Sequence, residues 1–118
     1  MDTPVSDLQR KVASFVHERN WEKFHTPKDL ALSIVVESAE LLELFQWKNN
    51  SEIQGLLKDT KYRKKIEEEM ADIMIYILVL SNTLDTDLAK VVLQKIQTNR
   101  DRYPIQKAKG KGTKYTEL

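Results

Sequence analysis

The chain contains no cysteine in 118 residues. Disulfides and thiolate metal sites are therefore excluded, and a reducing cytosol is compatible with the composition. Histidine occurs only as His17 and His25, and glycine and proline only three times each. Charge of one sign is also lacking: 19 basic and 18 acidic side chains leave a net charge of +1. That balance gives no general pull toward a nucleic-acid polymer or an anionic membrane, so any charge-driven function must come from local clustering. The longest strongly apolar run, Ile73 to Leu80, falls well short of the roughly 20 residues that span a bilayer. Met1-Asp2-Thr3-Pro4 lacks a basic segment followed by an apolar run, so no signal peptide is expected. The expected location is the cytoplasm.

What is present is ordinary for a soluble helical domain. Hydrophobic residues make up 41% and charged residues 31%, and the length argues for one domain with one modest core. Four main helices are expected, in an all-α four-helix bundle. The first covers about residues 5–20, with Val5, Leu8, Val12, Phe15 and Val16 at helical spacing. The second starts at Thr26-Pro27-Lys28-Asp29, where Thr26 can cap, Pro27 suits the first turn and Asp29 completes a capping-box-like spacing. It runs to about residue 46. A connection over residues 47–60 has room for a short helix near 52–58. The third helix covers about 61–84, and the fourth follows capping oxygens at Asp85-Thr86 and ends near Tyr103-Pro104. Residues 1–104 form the expected helical domain. Residues 105–118 form a lysine-rich tail, either flexible or ordered at a subunit contact.

Two helices carry the same chemical device. In the second, Ser33, Glu37 and Glu40 share one stripe of an otherwise apolar helix, because residues three and four apart are neighbours. In the third, Glu69 and Asp72 are the only charges between Glu69 and Leu80, with Tyr76 one turn further on. If the two helices run antiparallel from the 47–60 connection, Glu40 lies about 10 Å and Glu69 about 13 Å from the shared end at 1.5 Å per residue. The pairs can then face each other. A single Glu-x-x-Glu is most often a solvated surface feature; two such pairs at matched height in apolar helices point to a site. Two unit charges about 4 Å apart repel by about 4 kcal/mol at an effective dielectric near 20. Protonation or a cation must relieve that repulsion. Oxygen-only ligands favour magnesium or manganese over zinc. A ferritin-like di-iron site would need Glu-x-x-His pairs, and neither histidine lies in the motifs.

Glu37-x-x-Glu40 followed by Glu69-x-x-Asp72 resembles the metal signature of the all-α nucleoside triphosphate pyrophosphatases, the MazG-like superfamily. Trp21-x-x-Phe24-His25-x-Pro27, Leu44-Phe45-Gln46-Trp47-Lys48, Thr98-Asn99-Arg100-x-Arg102-Tyr103-Pro104 and Lys114-Tyr115-Thr116-x-Leu118 resemble its dCTP pyrophosphatase branch. The resemblance runs from about Leu8 to the C-terminus. One departure is Ala39, where members often have glycine.

The resemblance implies a Mg²⁺-dependent hydrolase, with Mn²⁺ as a substitute, that converts nucleoside triphosphates to monophosphate and pyrophosphate. Glu37, Glu40, Glu69 and Asp72 would bind the metal, with Glu40 as a candidate general base. Trp21, His25, Trp47, Tyr76 and Asn99 would surround the base and sugar, and Lys48 and Arg100 would supply positive charge to the phosphates. The assembly implied is a dimer of dimers, a homotetramer with sites at subunit contacts. Apolar residues on nearly all sides of the second and third helices agree with buried subunit contacts. Without the resemblance, the tryptophans read as core filling, His25 as a loop residue, and Asn99, Lys48 and Arg100 as surface residues. Two other readings compete: a broader nucleotide or phosphoribosyl-ATP pyrophosphatase, and a non-catalytic helical interaction module with a structural cation.

Overall fold

A computed structural model describes residues 2–118. Among the described residues there are helices, turns and loops but no strand. The helices are α1 (Val5–Glu18), α2 (Pro27–Glu43), α3 (Asn50–Leu56), α4 (Thr60–Thr83), α5 (Leu88–Arg102) and α6 (Ile105–Ala108). Short 3₁₀ turns cover Glu22–Phe24 and Tyr115–Glu117. The four long helices fall where the apolar spacing places them.

Local chemistry sets the boundaries. Thr26 accepts a hydrogen bond from the Asp29 N–H through Oγ1 at 3.2 Å, and Pro27 opens α2. Asn49 and Asp59 cap α3 and α4 in the same manner, accepting from the N–H groups of Glu52 and Lys61. α1 and α4 end against residues in the left-handed region, Asn20 at φ 54° and Asp85 at φ 52°, a conformation that Asn and Asp tolerate better than most. This corrects the expected start of the fourth main helix. Asp85 terminates α4, and the cap of α5 is Asp87, whose carboxylate accepts from the Lys90 N–H at 3.2 Å.

The chain forms two compact units, divided between Thr86 and Asp87. In the first, α2 and α4 pack together and α1 packs on α4. Val16, Leu30 and Val79, one from each helix, form the buried centre, with Val12, Tyr76 and Leu80 against it. Polar ties fix both ends. Gln9 on α1 donates to Ser81 Oγ at 2.8 Å and to the Thr86 carbonyl at 2.9 Å, and the Asn82 amide donates back to the Gln9 carbonyl at 2.9 Å. At the other end, Tyr62 Oη donates to the Leu44 carbonyl at 2.6 Å. The Gln9 bonds tie α1 to α4, and the Tyr62 bond ties the end of α2 to α4, which helps hold the register on which the acidic cluster depends.

The second unit contains α5, α6 and the C-terminal 3₁₀ turn. Its boundary with the first lies earlier than the compositional change at Pro104. No helix of the described residues is long and apolar enough to cross a membrane.

Candidate metal and nucleotide site

Glu37, Glu40 and Glu69 meet where α2 and α4 face each other. One carboxylate oxygen from each lies within 4.8 Å of the others. Asp72, one turn beyond Glu69 on α4, is close enough for its charge to act on both Glu37 and Glu69. Glu37 and Glu69 are half-buried, whereas Glu40 and Asp72 are exposed.

Burial and mutual repulsion both act on this cluster. Burial, then contact with Glu40 and the charges of Glu40, Asp72 and Glu69, push the Glu37 carboxyl from its ordinary 4.5 up to about 7. Glu69 is raised as well, first by burial and then by the charges of Glu40 and Asp72. Glu37 Oε2 and Glu69 Oε2 are both shielded from solvent without a hydrogen-bond partner. A buried acceptor left unpaired costs about 1–3 kcal/mol, more when it is charged, so these oxygens require a proton or a cation. The donor set is all oxygen, which suits a hard divalent ion. Three carboxylate oxygens within 4.8 Å of one another are close enough to converge on one ion through side-chain movement. The cluster fits a divalent metal.

The other expected site residues are spread along the chain. Trp21 precedes the 3₁₀ turn Glu22–Phe24 and meets Phe15 edge-on at 5.7 Å, while the Arg19 guanidinium lies 3.7 Å from the Phe15 ring centroid. His25 follows that turn, and its Nδ1 is buried without a partner. It faces a cavity of about 560 Å³ whose walls include Ser14, Val16, His17, Glu22, Val79 and Asn82. Tyr76 is half-buried against the core. Trp47 lies beyond the far end of α2, 91% exposed and with φ at 66°. A non-glycine residue there costs about 1–2 kcal/mol. Lys48, half-buried, donates to the Gln46 carbonyl at 3.4 Å. Asn99 and Arg100 are exposed on α5, in the second unit.

The fold thus brings the acids together but sets the two tryptophans at opposite ends of α2. Seventeen residues make that helix about 25 Å long at 1.5 Å per residue. One nucleobase cannot stack on both tryptophans of a single chain. The cavity beside His25 also draws in residues that sequence patterns did not single out. Glu22 and His17 approach to 3.3 Å at its rim, and Ser14 and Asn82 join from α1 and α4. None stands in a spacing motif; only the packing of α1 on α4 assembles them.

The chain is similar in sequence and fold to known proteins. A MazG-like family profile matches residues 32–118. Over 114 residues, 97% of this chain, the sequence is 41% identical to dCTP pyrophosphatase 1 of Rattus norvegicus and to that of Homo sapiens, covering 67% of each relative, and 42% identical to that of Bos taurus. Among solved structures, a pyrophosphatase from Archaeoglobus fulgidus superposes with a TM-score of 0.76 at 39% identity, over 84% of this chain and 91% of the other. With acids converging from α2 and α4 and relatives matching over nearly its whole length, this chain belongs to the MazG-like family.

Proposed function

We propose that this protein is a Mg²⁺-dependent nucleoside triphosphate pyrophosphatase that acts on dCTP or closely related deoxynucleotides, with Mn²⁺ as a substitute ion. The observation that carries the reading is the convergence of Glu37, Glu40 and Glu69, two of them with shielded, unpaired oxygens. The relatives named as dCTP pyrophosphatases supply the substrate class. The role is removal of unwanted nucleotides in the cytoplasm, consistent with a chain that lacks cysteine.

A triphosphate and a cluster of carboxylates repel each other, so nucleotide and cation should bind interdependently. When bound, the divalent cation supplies charge neutralisation and Lewis acidity at the phosphates. Glu37, Glu40, Glu69 and Asp72 would hold it. Glu40, the exposed member of the converging trio, is also the candidate to take the proton from a water attacking the α-phosphorus. Cleavage there leaves the nucleoside monophosphate and expels pyrophosphate. Trp21, His25, Trp47, Tyr76 and Asn99 take the base and sugar, and Lys48 and Arg100 face the phosphates.

Because α2 separates Trp21 from Trp47, a complete base pocket uses aromatic residues from more than one copy. This supports the proposed dimer of dimers, with residues 105–118 as a basic appendage. Exposed Leu32, Val35, Val36 and Leu42 on α2 and Met70 on α4 provide the apolar surface for such contacts.

Incubation with Mg²⁺ and a panel of nucleoside triphosphates, followed by separation of products, tests the reading. Monophosphate and pyrophosphate are expected, with dCTP among the best substrates. Release of diphosphate and orthophosphate would refute the bond assignment, and no turnover on any triphosphate would leave only a structural cation site.

A further inference from the structure

The near-neutral total charge conceals a separation. Residues 87–118 hold eight Lys or Arg against three Asp or Glu, a net +5, whereas the preceding 86 hold eleven against fifteen, a net −4. Most of the positive excess lies at the C-terminus, in Arg100, Arg102, Lys107, Lys109, Lys111 and Lys114, opposed only by Asp101 and Glu117.

This segment is shaped rather than trailing. The rings of Tyr103 and Tyr115 meet edge-on with centroids 6.0 Å apart, and the Arg102 guanidinium lies 4.6 Å from the centre of the Tyr115 ring. The eleven residues 104–114 therefore leave and return to one point. α6 supplies the outgoing turn, closed by the Ala108 N–H on the Pro104 carbonyl at 2.8 Å. Lys111 N–H donates to the Ala108 carbonyl at 2.9 Å, and Gly110 at φ 76° lets the backbone reverse. A closed loop of this length is an Ω-type loop, a class often used for binding.

Its four lysines are exposed, and no acid stands within residues 104–114. Among the described residues, none of the four forms an ion pair. Confining like charges to a tied loop is unfavourable compared with letting them spread along a free tail, unless a multivalent anion compensates. Lysine ammonium groups serve phosphate oxygens as point charges. The size of the loop favours a compact anion, since a nucleic-acid module typically covers about 600–1,000 Å².

We propose that the loop 104–114 binds a phosphate chain through Lys107, Lys109, Lys111 and Lys114, with Tyr103, Tyr115 and Arg102 holding the loop in shape. This rests on the pyrophosphatase reading, in which such chains enter as the triphosphate of the substrate and leave as pyrophosphate. The two present the same chemistry to the loop.

The test begins without metal or turnover. The full chain in EDTA is titrated with inorganic tripolyphosphate while backbone amide shifts are followed by NMR. Saturating shifts confined to residues 105–114 are expected. The combined variant Lys107→Gln, Lys109→Gln, Lys111→Gln, Lys114→Gln should bind about tenfold more weakly, a modest electrostatic loss. Tyr115→Ala keeps all four lysines, yet should bind about threefold more weakly because the loop loses its preorganisation. Shifts spread over Lys61, Lys64 and Lys65 as much as over the loop, or unchanged affinity in Tyr115→Ala, would overturn the proposal, leaving only diffuse charge. Preference of the loop for a short DNA duplex over tripolyphosphate would overturn it too. Kinetics with dCTP and Mg²⁺ then separate the two sources. A raised KM in the lysine variant places the substrate's triphosphate on the loop, and a raised inhibition constant for pyrophosphate places the product there. If neither moves, the loop has no part in the reaction. Failure of the parent protein to cleave dCTP would count against the pyrophosphatase reading alone, because the metal-free titration is independent of it.

Discussion

The Glu37 carboxyl stands half-buried among three other acids, and the two demands on it conflict. Metal binding needs its charged form; the metal-free fold favours the neutral one, with a pKa near 7 against an ordinary 4.5. Between those values the folded protein keeps a proton that the unfolded chain has released. That contribution to stability is fully present below about pH 4.5 and lost as pH rises toward 7. The melting temperature of the metal-free protein should therefore fall across this window, and Glu69, raised in the same direction, should add to the slope. Glu37→Gln, neutral at every pH, should flatten the profile and raise the melting temperature at pH 8. The same variant should lose the stabilisation that millimolar Mg²⁺ gives the parent, because metal binding selects the charged carboxylate. A flat profile in the parent, measured by calorimetry in EDTA, would contradict the burial assigned to Glu37. Catalysis gives a separate check. Glu40→Gln should lower kcat/KM for dCTP by about two to four orders of magnitude, the usual range for a general base, and Asp72→Asn should also impair turnover. Unimpaired turnover in both would sink the site.

At the scale of the elements, the acids meet only if α2 and α4 keep their register. Leu30, 1% exposed, sits in that contact, two turns before Glu37. Leu30→Ala should destabilise the protein by about 2–5 kcal/mol, a large part of the 5–15 kcal/mol typical of a domain. Urea unfolding would read this as a lower midpoint. Tyr62→Phe, which loses the 2.6 Å bond to the Leu44 carbonyl, should cost about 0.5–1.5 kcal/mol and loosen the end of the helix pair nearest Trp47. The helices themselves were legible because their determinants are local. Thr26-Pro27 and the Glu-x-x-Glu and Glu-x-x-Asp spacings act within one or two turns. The cap of α5 is Asp87, the residue directly after the expected pair Asp85-Thr86, because all three offer capping oxygens. Asp85 is the residue that accepts the left-handed conformation closing α4, which leaves Asp87 to cap.

For the whole molecule, the buried centre is small: among the described residues, Val16, Leu30, Leu78 and Val79 are the buried hydrophobic ones. Against this, Leu32, Val35, Val36, Leu42 and Met70 are each more than half exposed. Such a ratio is costly for an isolated chain and normal for a subunit. Sedimentation should give a particle near four times the chain mass of 13.8 kDa. Val35→Glu, on a side chain 67% exposed, should leave helix content intact while dissociating the assembly and lowering activity with it. Dissociation with full activity would show that one copy suffices for the base pocket.

The sequence by itself determined the helices, most of their ends and the acids that would meet. Each of these follows from spacing within a helix and from the height at which two antiparallel neighbours cross. Only the tertiary structure decided that Glu37 and Glu69 each keep an unpaired, shielded oxygen, because shielding depends on what the opposing helix places over it. It alone assembled the His25 cavity from α1, α4 and a 3₁₀ turn. It also put the length of α2 between Trp21 and Trp47 and tied the basic tail into a loop. These are relations between residues distant in the chain, and no local periodicity encodes them.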